Sequence, residues 1–245
     1  MSKLNKTSTL SPKNFEKETT RKETQILSAR IHELQKVLYA QNTKSLLVIL
    51  QGLDASGKDG LVSRVFSGIN PLGCDVKAFK KPSKEELSHD FLWRIHRDTP
   101  ANGMINIFNR SHYEDVLVPR VENWINLNET KKRFTHINNF EDLLQDSGTT
   151  ILKFYLHISP AEQKKRLEER LSNPEKFWKH NDEDWTTSTK WDQYMEAYED
   201  IFKHCNSIPW TIVPSDQNWY KEFIVAKKIK ETLENMNLQY PKRVL

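Results

Sequence analysis

Seven residues near the start of the chain have the types and spacing of a phosphate-binding loop. They are Gly52-Leu53-Asp54-Ala55-Ser56-Gly57-Lys58, and Asp59-Gly60 follow. An apolar run, Leu46 to Leu50, precedes them. The pattern G-x-x-x-x-G-K between a predicted strand and a predicted helix lets backbone N–H groups turn around phosphate oxygens. The following helix then points its positive end at the same oxygens. Lys58 adds a full positive charge, and Gly52, Ala55, Ser56, Gly57 and Gly60 are candidate phosphate contacts.

The loop departs from the usual pattern at Asp59, where Ser or Thr normally holds Mg²⁺. Asp54 lies inside the loop. An acid facing phosphates is costly unless a cation stands between them. Asp54 and Asp59 are therefore read as contacts for Mg²⁺, or Mn²⁺ in its place. The plainer alternative makes Asp54 a turn residue and Asp59 a first-turn partner of the helix dipole.

A second group of candidates is Phe108-Asn109-Arg110-Ser111-His112-Tyr113-Glu114, at the end of another predicted strand. In open α/β sheets, ligands bind outside the carboxyl ends of the strands. An acid usually stands at this strand end; here it is Asn109. Glu114 is positioned to resupply the charge as a metal contact. Arg110 is suited to neutralise transferring phosphoryl oxygens, unless Arg110 and Glu114 simply pair with each other. His112 reads as a packing or hydrogen-bonding residue. Lys77, Lys80, Lys81 and Lys84 form a basic row suited to a flexible polyanion or to an ordinary solvated edge. Arg94 and Arg97 follow on the next predicted helix.

The elements that must position these groups follow from periodicity. Residues 1–20 are polar and predicted to be a disordered tail. Apolar residues at helical spacing (Leu27, Ile31, Leu34, Leu38) predict a helix over 22–39. Strands are predicted at 45–50, 75–80, 104–108, 149–158 and 210–213. Helices are predicted at 58–69, 83–98, through most of 113–146, and at 217–236. Ser83 with Glu86, and Ser159 with Glu162, have the spacing of capping boxes. This alternation predicts an α/β fold with a five-stranded parallel sheet flanked by helices, as one domain over 21–245.

About fifty residues without strand signal separate the last two strands. They predict a helical lid over about 160–205. Its first helix carries Lys164, Lys165, Arg166 and Arg170; its second carries Trp191, Tyr194, Met195 and Tyr198 at helical spacing. The bland alternative for the first helix is a solvated surface laced with Glu–Arg pairs.

Composition narrows the function classes. The 245 residues carry 37 Lys and Arg against 33 Asp and Glu, a net charge of +4, so no global nucleic-acid-binding surface is implied. Two cysteines make no disulfide framework. The polar N-terminus and the lack of a long apolar run predict a cytoplasmic protein without a membrane span.

In combination these motifs resemble polyphosphate kinase family 2. The residues that carry the likeness are GLDASGKDG at 52–60, KKPSKEELSHDFLWR at 80–94, FNRSHYEDVLV at 108–118 and INNFE at 137–141. They continue from LKFYLHIS through EQKKRLEERLSNPEKFWK to WDQYMEAYE. The resemblance implies a thymidylate-kinase-like P-loop fold, Mg²⁺ dependence, and transfer of the terminal phosphoryl of inorganic polyphosphate to a nucleotide. It implies that Asp54 and Lys58 handle Mg²⁺ and phosphate, that Arg110 stabilises the transferring group, and that Arg166 or Arg170 closes over it. Asn109, His112 and Glu114 resemble the members that phosphorylate AMP, or AMP and ADP in turn; guanine equivalents are further acceptors. Family members often assemble as dimers or tetramers. The competing expectations are an ATP-dependent nucleoside monophosphate kinase and a non-catalytic nucleotide-binding module.

Overall fold

The computed structural model describes residues 4–242. Helix α1 (Lys17–Gln41) leads into strand β1 (Ser45–Gln51), the phosphate-loop turn and helix α2 (Lys58–Val65). Strand β2 (Cys74–Ala78), short helices α3 (Lys84–Ser88) and α4 (Trp93–His96), and strand β3 (Ile105–Asn109) follow. Helices α5 (Glu114–Val121) and α6 (Leu127–Asp146) precede strand β4 (Thr149–His157). Next come helix α7 (Pro160–Ser172), a 3-10 turn at Pro174–Lys179, and helices α8 (Asp182–Thr189) and α9 (Trp191–His204). Strand β5 (Trp210–Pro214) and helix α10 (Asn218–Asn235) complete the order.

The sheet is parallel throughout, in the order β2-β3-β1-β4-β5. Strand β1 is buried along its whole length because helices cover both faces. Alternation along it sends Leu47 and Ile49 to one side, with Phe134, Ile137, Tyr155 and Tyr198. Leu46, Val48 and Leu50 go to the other, with Ile31, Leu61, Ile229 and Leu233. Strands β3 and β4 flank β1, so the ends of all three open at the phosphate-binding loop.

Several sequence expectations are corrected. The tail predicted to be disordered over 1–20 is ordered over its described part, residues 4–20. Leu4 is buried in the core, and its N–H donates to Glu199 at 2.7 Å. Thr9 bonds Asp216 at 2.8 Å, and Phe15 packs edge-on against Tyr220. A few anchors thus fix a polar segment whose composition alone would leave it free. Residues 1–3 lie outside the described residues.

The helix predicted over 83–98 is two helices broken around His89–Leu92. Ser83 and Glu86 do form the capping box, at 2.7 and 3.2 Å. At Ser159 only half of the box forms. Ser159 accepts from the Glu162 N–H, but the Glu162 carboxylate is drawn to Arg166 at 2.8 Å. The second helix assigned to the lid, α9, is core: Tyr194, Met195, Tyr198 and Ile201 are buried against α5 and α6 residues. Of the span predicted as a lid, the stretch from α7 through α8 contributes no residue to this core cluster.

Candidate active site

The loop from Gly52 to Gly57 joins β1 to α2 and is built around Lys58. The Lys58 ammonium is buried and donates to Gly52 O at 2.7 Å and Leu53 O at 3.2 Å. Burial, with help from the nearby Arg110 charge, pushes its pKa down to about 8. Arg110 follows the last residue of β3 with a left-handed φ of 63°. A non-glycine residue in that conformation is strained and is frequent at functional sites. The turn ends the strand and lets the guanidinium bond the Asp54 carboxylate inside the loop. Burial works against the Arg110 charge, but Glu114 and Asp54 outweigh it and hold its pKa above the ordinary value.

Glu114, at the start of α5, lies behind Arg110. Burial raises its pKa against the pull of Arg110 and Lys58. Gln51, the buried last residue of β1, donates its amide to Glu114 Oε1 at 2.9 Å while its oxygen accepts from Ser111. At the helix side of the loop, Asn109 donates to Asp59 at 2.7 Å, and Lys179 at the end of the 3-10 turn approaches Asp59 at 3.5 Å. Burial raises the Asp59 pKa, but the Asn109 hydrogen bond and the Lys179 charge outweigh it, so the carboxyl stays below its ordinary value. Asp54, Asp59, Glu114, Lys58 and Arg110 are thus one electrostatic group.

Arg166 and Arg170, both on α7, have different surroundings. Arg166 is engaged at each guanidinium nitrogen: with Glu162 at 2.8 Å, and with Ala55 O, Ser215 O and Asp216 O at 2.9 Å. It clamps the loop backbone here, whereas the expectation is that either it or Arg170 closes over the transferring group. Arg170, one turn on, bonds the buried Asp184 carboxylate and Lys179 O, so it ties α7 to the 3-10 turn and to α8. Lys164 and Lys165 lie on the solvated face, with loose pairs to Glu168 and Glu162. The bland reading of the charged run is right for these two.

A cleft of about 1060 Å³ opens beside the loop. Gly52, Asp54, Arg110 and Glu114 line its floor, Lys80, Lys81 and Arg94 one side, and Tyr194 and Tyr198 the back. Arg94 is buried and holds Lys80 O at 2.9 Å and Asp115 at 3.0 Å, so it braces the wall. Lys77 is not in the wall: on the edge strand it pairs with Asp98 at 3.1 Å, the arrangement that the solvated-edge alternative describes. His112 is fully buried, 3.3 Å from Glu141, in a packing and hydrogen-bonding role as its neighbours suggest.

No group of three or more His, Cys, Asp or Glu side chains that could hold a metal by themselves occurs among the described residues. This donor set still fits Mg²⁺, which typically binds one or two carboxylates and takes its other ligands from water and substrate phosphates. Asp54, in the loop itself, is the carboxylate so placed.

Five contributors were missed or misread in the sequence. Lys221 on α10 and Gln163 on α7 bond the loop carbonyls, yet sit in ordinary amphipathic helices. Tyr194 and Tyr198 had a signal, the aromatic stripe, but it marks core and cleft wall together. Gln51 was detectable as a lone amide ending an apolar strand.

Comparison with known proteins gives consistent matches. The family model of polyphosphate kinase 2 matches residues 14–241. An AMP/ADP-polyphosphate phosphotransferase of Meiothermus ruber is 48% identical over 218 residues, 88% of this chain and 82% of that protein. An ADP-polyphosphate phosphotransferase of Rhodopseudomonas palustris is 44% identical, over 86% of this chain and 78% of that one. The crystal structure of polyphosphate kinase 2 from Arthrobacter aurescens superposes with a TM-score of 0.89 at 40% identity, over 96% of this chain and 89% of that one.

Proposed function

The chain belongs to the polyphosphate kinase 2 family, and we infer that it transfers the terminal phosphoryl of inorganic polyphosphate to a nucleotide, making ADP from AMP and ATP from ADP. The observation that carries this reading is the joining of a phosphate-binding loop to Arg110 through Asp54, beside an open cleft lined by charged residues of both signs, Lys80, Lys81 and Arg94 among them. Among the described residues, no helix is long and apolar enough to cross a membrane. Cytoplasmic location and assembly as a homo-oligomer are part of the proposal.

The proposed reaction is a direct in-line displacement. The bond from the terminal phosphorus to its bridging oxygen breaks as a bond forms to a phosphate oxygen of the nucleotide. That acceptor oxygen is already ionised, so no general base is required. Lys58 and the loop N–H groups hold the donor phosphates. Arg110, released from Asp54 when the polyanion enters, faces the transferring group, and Arg170 approaches from the lid. Asp54, with Asp59 and Glu114 in support, would hold Mg²⁺, which when bound would supply further charge neutralisation. Closure of the lid segment excludes water and suppresses hydrolysis of the polymer.

The test is incubation with Mg²⁺, long-chain polyphosphate and AMP or ADP, without ATP, followed by phosphorus NMR. New ADP and ATP resonances are expected. Their absence with both acceptors would overturn the reading. Omitting Mg²⁺, then restoring it, tests the metal assignment separately.

A further inference from the structure

Six consecutive carbonyls of the phosphate-binding loop each accept a hydrogen bond from a side chain. Gly52 O and Leu53 O accept from Lys58, and Asp54 O from Gln163 at 3.1 Å. Ala55 O accepts from Arg166 at 2.9 Å. Ser56 O and Gly57 O accept from Lys221, at 3.0 and 3.2 Å. In a planar trans peptide the carbonyl and the following N–H point in opposite directions. Drawing Ser56 O and Gly57 O onto Lys221 therefore turns the Gly57 and Lys58 N–H groups the other way, into the loop. The first N–H groups of α2 have no partner within the helix. They serve an anion best when their direction is fixed beforehand.

The reach of Lys221 is built into two elements. Its stem is buried on α10, and its third hydrogen bond goes to Asn218 Oδ1 at 2.9 Å. Three acceptors use all three hydrogens of an ammonium. Gly57 leaves the room: a Cβ there would lie 2.2 Å from the Lys221 nitrogen, and its φ is +92°. The second glycine of the motif is therefore required twice over, for its backbone and for this lysine. The arrangement carries an electrostatic cost. Burial, then repulsion from Arg166, pushes the Lys221 pKa down to about 7. A residue selected for stability alone would not need a charge at this position.

We propose that Lys221, steadied by Asn218, is a positioning residue of the donor site, holding the Ser56 and Gly57 peptides so that the Gly57 and Lys58 N–H groups face the polyphosphate. The proposal rests on the polyphosphate-kinase reading but not on which nucleotide accepts.

The experiment compares wild type, Lys221→Met, Lys221→Arg and Asn218→Ala. It reads KM for polyphosphate, KM for the nucleotide, calorimetric binding of inorganic tripolyphosphate with Mg²⁺, and melting temperature. For Lys221→Met, a rise of about tenfold in polyphosphate KM and tripolyphosphate Kd is expected, with nucleotide KM changed less than about twofold. Lys221→Arg should stay within about threefold of wild type, because a guanidinium still offers donors to both carbonyls. Asn218→Ala, at an exposed position, should shift tripolyphosphate affinity the same way by about two- to fivefold. Unchanged tripolyphosphate affinity in a folded Lys221→Met protein overturns the proposal. If that variant does not fold, unchanged affinity in Asn218→Ala overturns it instead. A wild-type protein that fails to bind tripolyphosphate overturns the donor reading itself, and this proposal with it.

Discussion

Asn109 donates to Asp59 at 2.7 Å, joining the end of β3 to the first turn of α2. In most phosphate-binding loops an acid stands at the strand end and a hydroxyl at the helix start. Here the acid is on the helix and the neutral donor on the strand. The pair still makes one hydrogen bond and still carries one negative charge. The exchange preserves the local charge and places it on Asp59, where Lys179 approaches it at 3.5 Å.

This exchange predicts a compensating pair of substitutions. Asn109→Asp alone sets two carboxylates within hydrogen-bond distance, which cannot both ionise cheaply. Its kcat/KM should fall about tenfold or more, an effect of ~1.4 kcal/mol. Asn109→Asp combined with Asp59→Ser restores the common arrangement and should recover a substantial part of the loss. A double-mutant cycle on kcat/KM measures the coupling. Additive losses would show that the two side chains act independently.

Polyphosphate binding should weaken toward alkaline pH. Lys58 and Lys221 both have lowered pKa values, about 8 and about 7. Below these values both are ammonium ions; as pH rises through them the free enzyme loses positive charge beneath the loop. A bound polyanion favours the charged forms, so binding is accompanied by proton uptake. KM for polyphosphate should therefore rise across about pH 7 to 9, while kcat, measured on the saturated enzyme, changes less. Calorimetry in buffers of differing ionisation enthalpy would register the uptake. A polyphosphate KM that is flat over this range would contradict the assignment.

The two lid arginines should separate kinetically. Arg166 is spent on loop and α10-approach carbonyls, so Arg166→Ala should mainly raise polyphosphate KM. Arg170 is held by one carboxylate and one carbonyl, contacts that a closing lid can exchange for a phosphoryl oxygen. Arg170→Ala should lower kcat by roughly 10²- to 10³-fold with a smaller change in KM. Steady-state kinetics on both variants, with folding checked by circular dichroism, decides between them. The reverse pattern would return Arg166 to the transferring group.

How much of this was legible in the sequence depends on whether the information was local. Gly52 through Asp59 could be read directly, because adjacent residues make the loop. Arg110 and Glu114 were readable through topology, since β3 lies beside β1 in such sheets. Lys221 was not: its partners lie more than 160 positions away. The roles of Arg166 and Arg170 were indistinguishable because both lie on the same face of one helix, and only their distant partners differ. The aromatic stripe on α9 misled for another reason. Its period shows a buried face but not which elements bury it. The N-terminal segment looked free because a few anchors, Leu4 and Phe15 among them, do not register in a polar composition.

The segment after Arg110 rests on a buried charged network, which should make it the most acid-sensitive part of the fold. Lys153 donates to Glu141 at 2.7 Å, to Tyr113 Oη at 2.9 Å and to Cys205 O at 3.0 Å. Tyr113 donates to the other Glu141 oxygen at 2.7 Å, with His112 at 3.3 Å. Burial raises the Glu141 pKa, but the His112 hydrogen bond and the Lys153 ammonium outweigh it and hold the carboxyl below its ordinary value. The sign follows: the stability supplied by this carboxylate is full above the ordinary carboxylate range and is lost as pH falls through its lowered folded value. Glu141→Gln leaves the ammonium buried without its counter-ion and should cost ~3–5 kcal/mol. In a domain of this size that corresponds to a drop of about 6–20 °C in melting temperature. Glu141→Leu with Lys153→Met removes both charges and should recover part of the loss, with a flatter dependence of melting temperature on acid pH. Thermal unfolding of the three proteins from about pH 2 to 6 checks both statements. Equal acid sensitivity in wild type and the double variant would place the acid-sensitive site elsewhere.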